Sequence, residues 1–381
     1  NGIKASSKLL NIIAGFSIIF IITFIIGGSF FVDKNNWIKP CNRIIPGDDD
    51  GPKTCNSDQK NSFFGGGISG VFHASSLSYF SYIGFEALTT LAEETKNPKR
   101  DMVWGLIGTL AIATTLYVAV SLVLTGMVPY TALDEDSPLS DAFSKHNATF
   151  MSSLVSFGAL TTTTATTITC LIGQPRIFYR MAMDGLFYKM FENIKISIVI
   201  SGILCGIIGC FINFNFLAEM ISVGTLLAYV LVCSGVLILR YEPKMESAKN
   251  VSILVCLYVV FCLMFSFALL ILIVNKDVQV NDIISCIIIT LLGVILLILI
   301  SMITVIHFKY GDVDTNVPGD IYLTPLLPFV PLAGIFVNCF MIAALEIASF
   351  IRIIIWTIVG LFIYFTYGIK HSKLNDHESQ G

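Results

Sequence analysis

The 381 residues are 55% hydrophobic and 13% charged, with a formal net charge of -3 at pH 7. Soluble domains carry about 25% charged residues, so this chain holds more apolar surface than a water-surrounded core absorbs. The charge balance gives no footprint for nucleic acid, and the ten cysteines form no CxxC pair and no Cys/His cluster at zinc spacing, so neither metal nor cofactor is expected.

A membrane-crossing helix needs about 20 mostly apolar residues at 1.5 Å rise each. Ten segments meet or approach that length: 9–32, 68–90, 103–127, 150–172, 196–213, 217–239, 251–274, 284–306, 326–348 and 350–368, followed by a short tail, 369–381. They predict an all-α polytopic membrane protein built as one transmembrane domain over 1–381. Inside lipid every backbone N–H and C=O needs an internal partner, and the alternating polarity of a barrel strand is absent.

Taken in order, Leu9 to Val32 contains no ionisable residue, and the polar loop 33–67 after it contains Cys41 and Cys55. The second span differs from the rest. It passes from Ile68-Ser69-Gly70 through Ser75-Ser76-Leu77-Ser78 to Tyr79-Phe80-Ser81-Tyr82-Ile83-Gly84-Phe85-Glu86. Glycine and small polar residues mid-span let a helix unwind and turn carbonyl and N–H groups toward a ligand, as discontinuous helices do in secondary transporters. Close packing through small residues explains the same composition, and from these residues alone both readings stand. His73 and Glu86 are ionisable groups in this span and therefore functional candidates, although His73 reads first as a hydrogen-bonded packing residue.

Further along, Asn147-Ala148-Thr149 is a glycosylation sequon, and the fourth span carries the polar run Thr161 to Thr167 and then Cys170. Glu219, Glu346 and Arg352 lie within a turn of span ends and read as interfacial or snorkelling side chains. Basic residues gather on the side shared by both termini, which predicts that both termini are cytoplasmic. That topology places Asn147, Cys41 and Cys55 on the opposite face, where glycosylation and a Cys41–Cys55 disulfide are permitted. Gly65-x-Gly67-x-x-Gly70 has the spacing of a dinucleotide-binding turn but no strand before it, and there is no phosphate loop. ATP-driven transport and intramembrane hydrolysis thus find no support, and an enzyme is not expected.

Glu93-Glu94-Thr95-Lys96-Asn97-Pro98-Lys99-Arg100-Asp101, with Tyr82-Ile83-Gly84-Phe85-Glu86 before it, resembles the signature of the amino acid–polyamine–organocation superfamily. Ser137-Pro138-Leu139-Ser140-Asp141-Ala142-Phe143, Gly173-Gln174-Pro175-Arg176-Ile177-Phe178-Tyr179, Met183-Asp184-Gly185-Leu186 and Ser222-Val223-Gly224-Thr225-Leu226-Leu227-Ala228-Tyr229 look specifically like the cationic amino acid transporter branch. The similarity runs in order along essentially the whole chain.

This resemblance implies a LeuT-type inverted-repeat fold with extra C-terminal helices. Span 9–32 looks like the family's fifth helix and span 68–90 like its broken sixth. The first repeat is then incomplete in these residues, which hold no counterpart of the family's first four helices. The implied substrate-binding residues are Phe80, an aromatic gate; Ser81, Ile83 and Gly84, with backbone for the α-amino group; Glu86, for the cationic end; and Cys170. Glu93, Glu94, Lys96, Arg100 and Arg176 are the implied cytoplasmic gate. Proton-coupled relatives carry a lysine in the fifth helix. Ser17 lies near that position, so a facilitator or exchanger is expected. The expected partners are a cationic amino acid (arginine, lysine or ornithine) and the lipid bilayer, with no signal for an oligomeric state. Neutral amino acids, polyamines and a non-transporting nutrient receptor remain alternatives. The plasma membrane is the expected site, with a vacuolar or lysosomal membrane as the alternative.

Overall fold

The structure, a computed structural model, describes residues 2–38, 67–84, 97–134, 136–241, 248–274, 282–310, 324 and 326–372. Among these, secondary structure is helical and no strand occurs. The helices are α1 (Gly2–Ser29), α2 (Asn35–Ile38), α3 (Gly67–Ser78), α4 (Pro98–Met127), α5 (Pro138–Lys145), α6 (Thr149–Met183) and α7 (Ile194–Phe211). They continue with α8 (Phe214–Tyr241), α9 (Ala248–Val274), α10 (Asp282–Tyr310), α11 (Phe329–Ala343), α12 (Ile347–Ile363) and α13 (Ile369–His371). Eight are long and apolar enough to cross a membrane, and α11 is a shorter apolar helix. Their outward faces are apolar too: Phe16 is 55% exposed, Leu231 71% and Phe362 67%. Apolar surface on this scale requires lipid around it rather than water. The protein is a polytopic all-α membrane protein.

The chain divides into two compact units. One comprises 1–66, 104–207 and 363–381. Here α1 lies along α6, with a core of Phe24, Met127, Val128, Ala142, Phe143 and Val155. Gly158 makes the approach possible, because a Cβ there would sit 2.7 Å from the Phe20 ring. Small residues serve this purpose between membrane helices, where lipid is as apolar as the side chains and packing itself must drive association. The short α2 docks on the end of α4: Asn36 Nδ2 donates to the Gly126 carbonyl at 2.6 Å, and Trp37 Nε1 to Thr125 Oγ1 at 3.1 Å. Before α5, the Asp134 carboxylate accepts the N–H groups of Asp136 and Ser137, and these bonds hold its carboxyl below the usual range.

The apolar run of the fourth span stops near 172, yet α6 continues through Pro175 to Met183. Beside that proline, Ser197 Oγ, fully buried, donates to the Pro175 carbonyl at 2.9 Å. The helix stops where Gly185 takes φ +78°. Leu186 N–H then reaches the Met181 carbonyl and Gly185 N–H the Ala182 carbonyl, the paired bonds of a Schellman end.

The second unit comprises 67–103 and 208–362. Helices α8, α9, α10 and α11 enclose a core that includes Leu226, Leu237, Val255, Leu299, Ile335 and Cys339. Tyr258 is buried among them and satisfies its hydroxyl on the Leu332 carbonyl at 3.1 Å. Where the hydropathy suggests a span over 326–348, the helix proper covers Phe329–Ala343. Leu345 N–H turns back to the Ile342 carbonyl, and α12 starts two residues later.

Candidate functional site

Helix α3 belongs to the second unit and packs on α8, α9 and α11. Its 12 residues rise only about 18 Å, well short of the roughly 30 Å hydrocarbon layer. Within it the hydroxyls of Ser75 and Ser76 bond back to the carbonyls of Val71 and His73, so they do not unwind it. After Ser78 the chain tightens into a 3₁₀ turn, Tyr79–Tyr82. Ile83 follows in extended conformation, its N–H on the Phe80 carbonyl at 3.1 Å, and Gly84 takes φ +119°. A backbone of that kind takes glycine without strain. The α-helical ladder thus ends inside an apolar stretch, at the residues singled out by the sequence.

Phe80, Ser81, Ile83 and Gly84 therefore share one turn. The Phe80 ring meets Phe214, at the start of α8, edge to face at 5.5 Å. Tyr79 meets Tyr229 on the same helix at 6.3 Å. Ser81 and Gly84 are exposed, whereas Ile83 is half-buried. Midway along α3, Phe72 packs on Phe340 at 4.9 Å and His73 Nε2 lies 3.9 Å from Glu346 Oε1.

The remaining candidates lie elsewhere or outside the described residues. Glu86, Glu93, Glu94 and Lys96 are outside them, as are Cys41 and Cys55. Arg100 is exposed at the start of α4 in the second unit. Cys170, exposed, and Arg176, half-buried, are on α6 in the first unit. Asn147 is exposed in the turn between α5 and α6 at φ +57°, a conformation asparagine tolerates better than most residues. Ser17 Oγ donates to the Ile13 carbonyl and accepts from Thr162 Oγ1, each at 3.0 Å, so α1 and α6 share a neutral hydroxyl pair.

Two side chains read as interfacial are instead paired with each other. Arg352 Nη1 donates to Glu219 Oε2 at 2.7 Å, and Ser349 Oγ donates to the same oxygen at 2.6 Å. The guanidinium also covers the Phe216 ring at 4.0 Å. The available signal was their position: opposite charges near the starts of two spans that enter the membrane from the same predicted side. Phe214, the other residue that sequence reasoning passed over, carries no such signal.

Apolar helices, one of which gives way to a 3₁₀ turn within an apolar stretch, are compatible with a membrane transporter. Residues 1–292 match the amino acid permease family, and residues 322–372 match the C-terminus of that permease. The chain belongs to the amino acid permease family. Among its relatives are a vacuolar cationic amino acid transporter 4 of Arabidopsis thaliana, 28% identical over 98% of this chain and 68% of the relative, and cationic amino acid transporter 4 of Mus musculus, 24% identical over 99% and 65%. A methylthioribose transporter of Bacillus subtilis is 30% identical over 70% of this chain and 56% of its own length. The chain thus spans about two thirds of the length of the cationic transporters it matches.

Proposed function

We propose that this chain moves amino acids across a membrane by alternating access, with cationic amino acids as the substrate class. The observation that carries this reading is the end of the α-helix at Ser78. From Tyr79 to Gly84 the backbone leaves α-helical geometry within an apolar stretch, the kind of segment at which the discontinuous helices of secondary transporters hold a substrate. Phe80 closes over the bound molecule. Glu86 receives the side-chain cation through charge-assisted hydrogen bonds, bidentate with a guanidinium. Cys170 leaves room for a long side chain. Glu93, Glu94, Lys96, Arg100 and Arg176 form the cytoplasmic gate.

The neutral Ser17–Thr162 pair supports transport without proton coupling, since neither hydroxyl titrates in the physiological range. Membrane potential then supplies the drive: about 2.3 kcal/mol per charge per 100 mV, enough for tens-fold accumulation of a monovalent cation. Oxidation of Cys41 with Cys55, glycosylation at Asn147, cytoplasmic termini and residence in the plasma membrane complete the proposal.

The test is uptake of labelled arginine into vesicles holding the full-length protein, with an inside-negative potential and with leucine as competitor. Potential-driven uptake that leucine leaves intact, and that Glu86→Gln lowers at least tenfold, is the expected result. Uptake unchanged by Glu86→Gln removes that residue from the site. Transport of leucine or of a neutral thiosugar in place of arginine moves the substrate class, a second reading favoured by the methylthioribose transporter among the relatives.

A further inference from the structure

We infer that Phe214 is a positioning residue for the Phe80 ring, and that a Glu219–Arg352–Ser349 clamp holds the helix turn that presents it. The inference rests on the proposed role of Phe80 and adds a device that sets where its ring lies.

The contacts form a continuous chain within one unit. Phe80 sits on a 3₁₀ turn, a less regular scaffold than an α-helix, and Phe214 packs edge to face against its ring. Phe214 is the first residue of α8 and has no preceding turn of that helix to brace it. What braces it lies one turn on. Glu219 faces α12, where its carboxylate takes the Ser349 hydroxyl and the Arg352 guanidinium on one oxygen. Phe216, three residues before Glu219 and so on the same face, lies under the guanidinium. Five residues separate Phe214 from Glu219, about 140° around the helix, so the turn is gripped on one side and touches Phe80 with another.

The clamp is built for rigidity. Ser349 is fully buried, and the ionised side chains keep only 14% (Glu219) and 22% (Arg352) of their surface. Charges at such a depth persist only when paired and hydrogen-bonded, and that requirement fixes the geometry of both helix starts. Two helices 133 residues apart in sequence are thereby locked at one point, and the aromatic contact to Phe80 is referenced to it.

The experiment places a trifluoromethyl-phenylalanine at position 80 of the full-length protein and reads its fluorine resonance, with a second label at position 72, on the α3 helix that leads into that turn, as the control. Phe214→Leu shifts the resonance at 80. Arg352→Leu shifts it in the same direction and broadens it, while the label at 72 stays in place. The charge swap Glu219→Arg with Arg352→Glu restores the narrow line. A resonance at 80 that ignores Arg352→Leu or Phe214→Leu overturns the inference, as does a label at 72 that moves equally, because the effect is then global. Uptake measured on the same samples scores the transport reading separately: shifts without amino acid uptake keep the positioning and remove the gate from amino acid transport.

Discussion

Helices α3 and α6 pose the same question and answer it in opposite ways. Both are rich in hydroxyl residues, and both meet a residue known to interrupt helices: Gly84 shortly after one, Pro175 inside the other. The ladder of α3 ends after 12 residues, whereas α6 runs 35. In both, hydroxyls return to their own backbone, and the difference lies past Ser78, where the chain takes 3₁₀ geometry and then a positive φ at Gly84. In α6 the hydroxyls of Thr162, Thr163, Thr164, Thr166, Thr167 and Thr169 each donate to the carbonyl four residues back. A polar run in a membrane helix is therefore not a broken helix when its side chains can return to their own backbone. Past Ser78, the chain runs through Tyr79–Tyr82 in 3₁₀ geometry, Ile83 is extended and Gly84 takes a positive φ, and the α-helical ladder stops.

The two glycine ends sharpen the contrast and give the largest expected effects. Both have positive φ, but a Cβ at Gly185 would lie 1.8 Å from the His371 carbonyl oxygen, whereas at Gly84 none of the described residues beyond its chain neighbours comes within 4 Å. Gly185→Ala then combines backbone strain with a clash against backbone and is expected to cost about 3 kcal/mol or more. Thermal denaturation in detergent should show a clear drop in midpoint. Gly84→Ala meets none of the described residues and is expected to carry backbone strain, about 1–2 kcal/mol. It should fold, yet re-aim the carbonyls after Phe80, so uptake should fall more than stability. A Gly84→Ala protein with unchanged transport would return α3 to an ordinary close-packed helix.

How much of this was legible in sequence follows the same division. The apolar runs gave the helices, because lipid leaves no other way to satisfy the backbone. The break after Ser78 was half legible: Gly84 and the serines flagged it, but α6 is also rich in hydroxyl residues, and what separates the two is the 3₁₀ turn and the positive φ at Gly84 rather than the hydroxyls, which return to the backbone in both. The continuation of α6 past Pro175 was hidden, since it involves Ser197 from the next helix. Glu219 and Arg352 were each visible as costly charges, yet their pairing joins positions 133 residues apart and belongs to topology rather than pattern. Phe214 falls between two of the predicted spans and is 67% exposed. Its contact with Phe80 gives it meaning, and a local pattern does not encode contacts.

The smallest effects test the threonine side of the comparison. Thr162 differs from its neighbours in α6 because its hydroxyl also reaches Ser17 on α1. Thr162→Val should cost about 0.6 kcal/mol, the usual worth of a hydrogen bond between membrane helices. Thr166 bonds to its own helix and its side chain is exposed, so Thr166→Val keeps shape, removes one local bond and should change stability by less than about 0.5 kcal/mol. Measured side by side by thermal denaturation, the two substitutions separate a hydroxyl that joins helices from one that only completes its own. If Thr166→Val proved the costlier, hydroxyl return to the backbone would be holding α6 together across its polar run. The continuity of that helix would then rest on its threonines rather than on packing against α1.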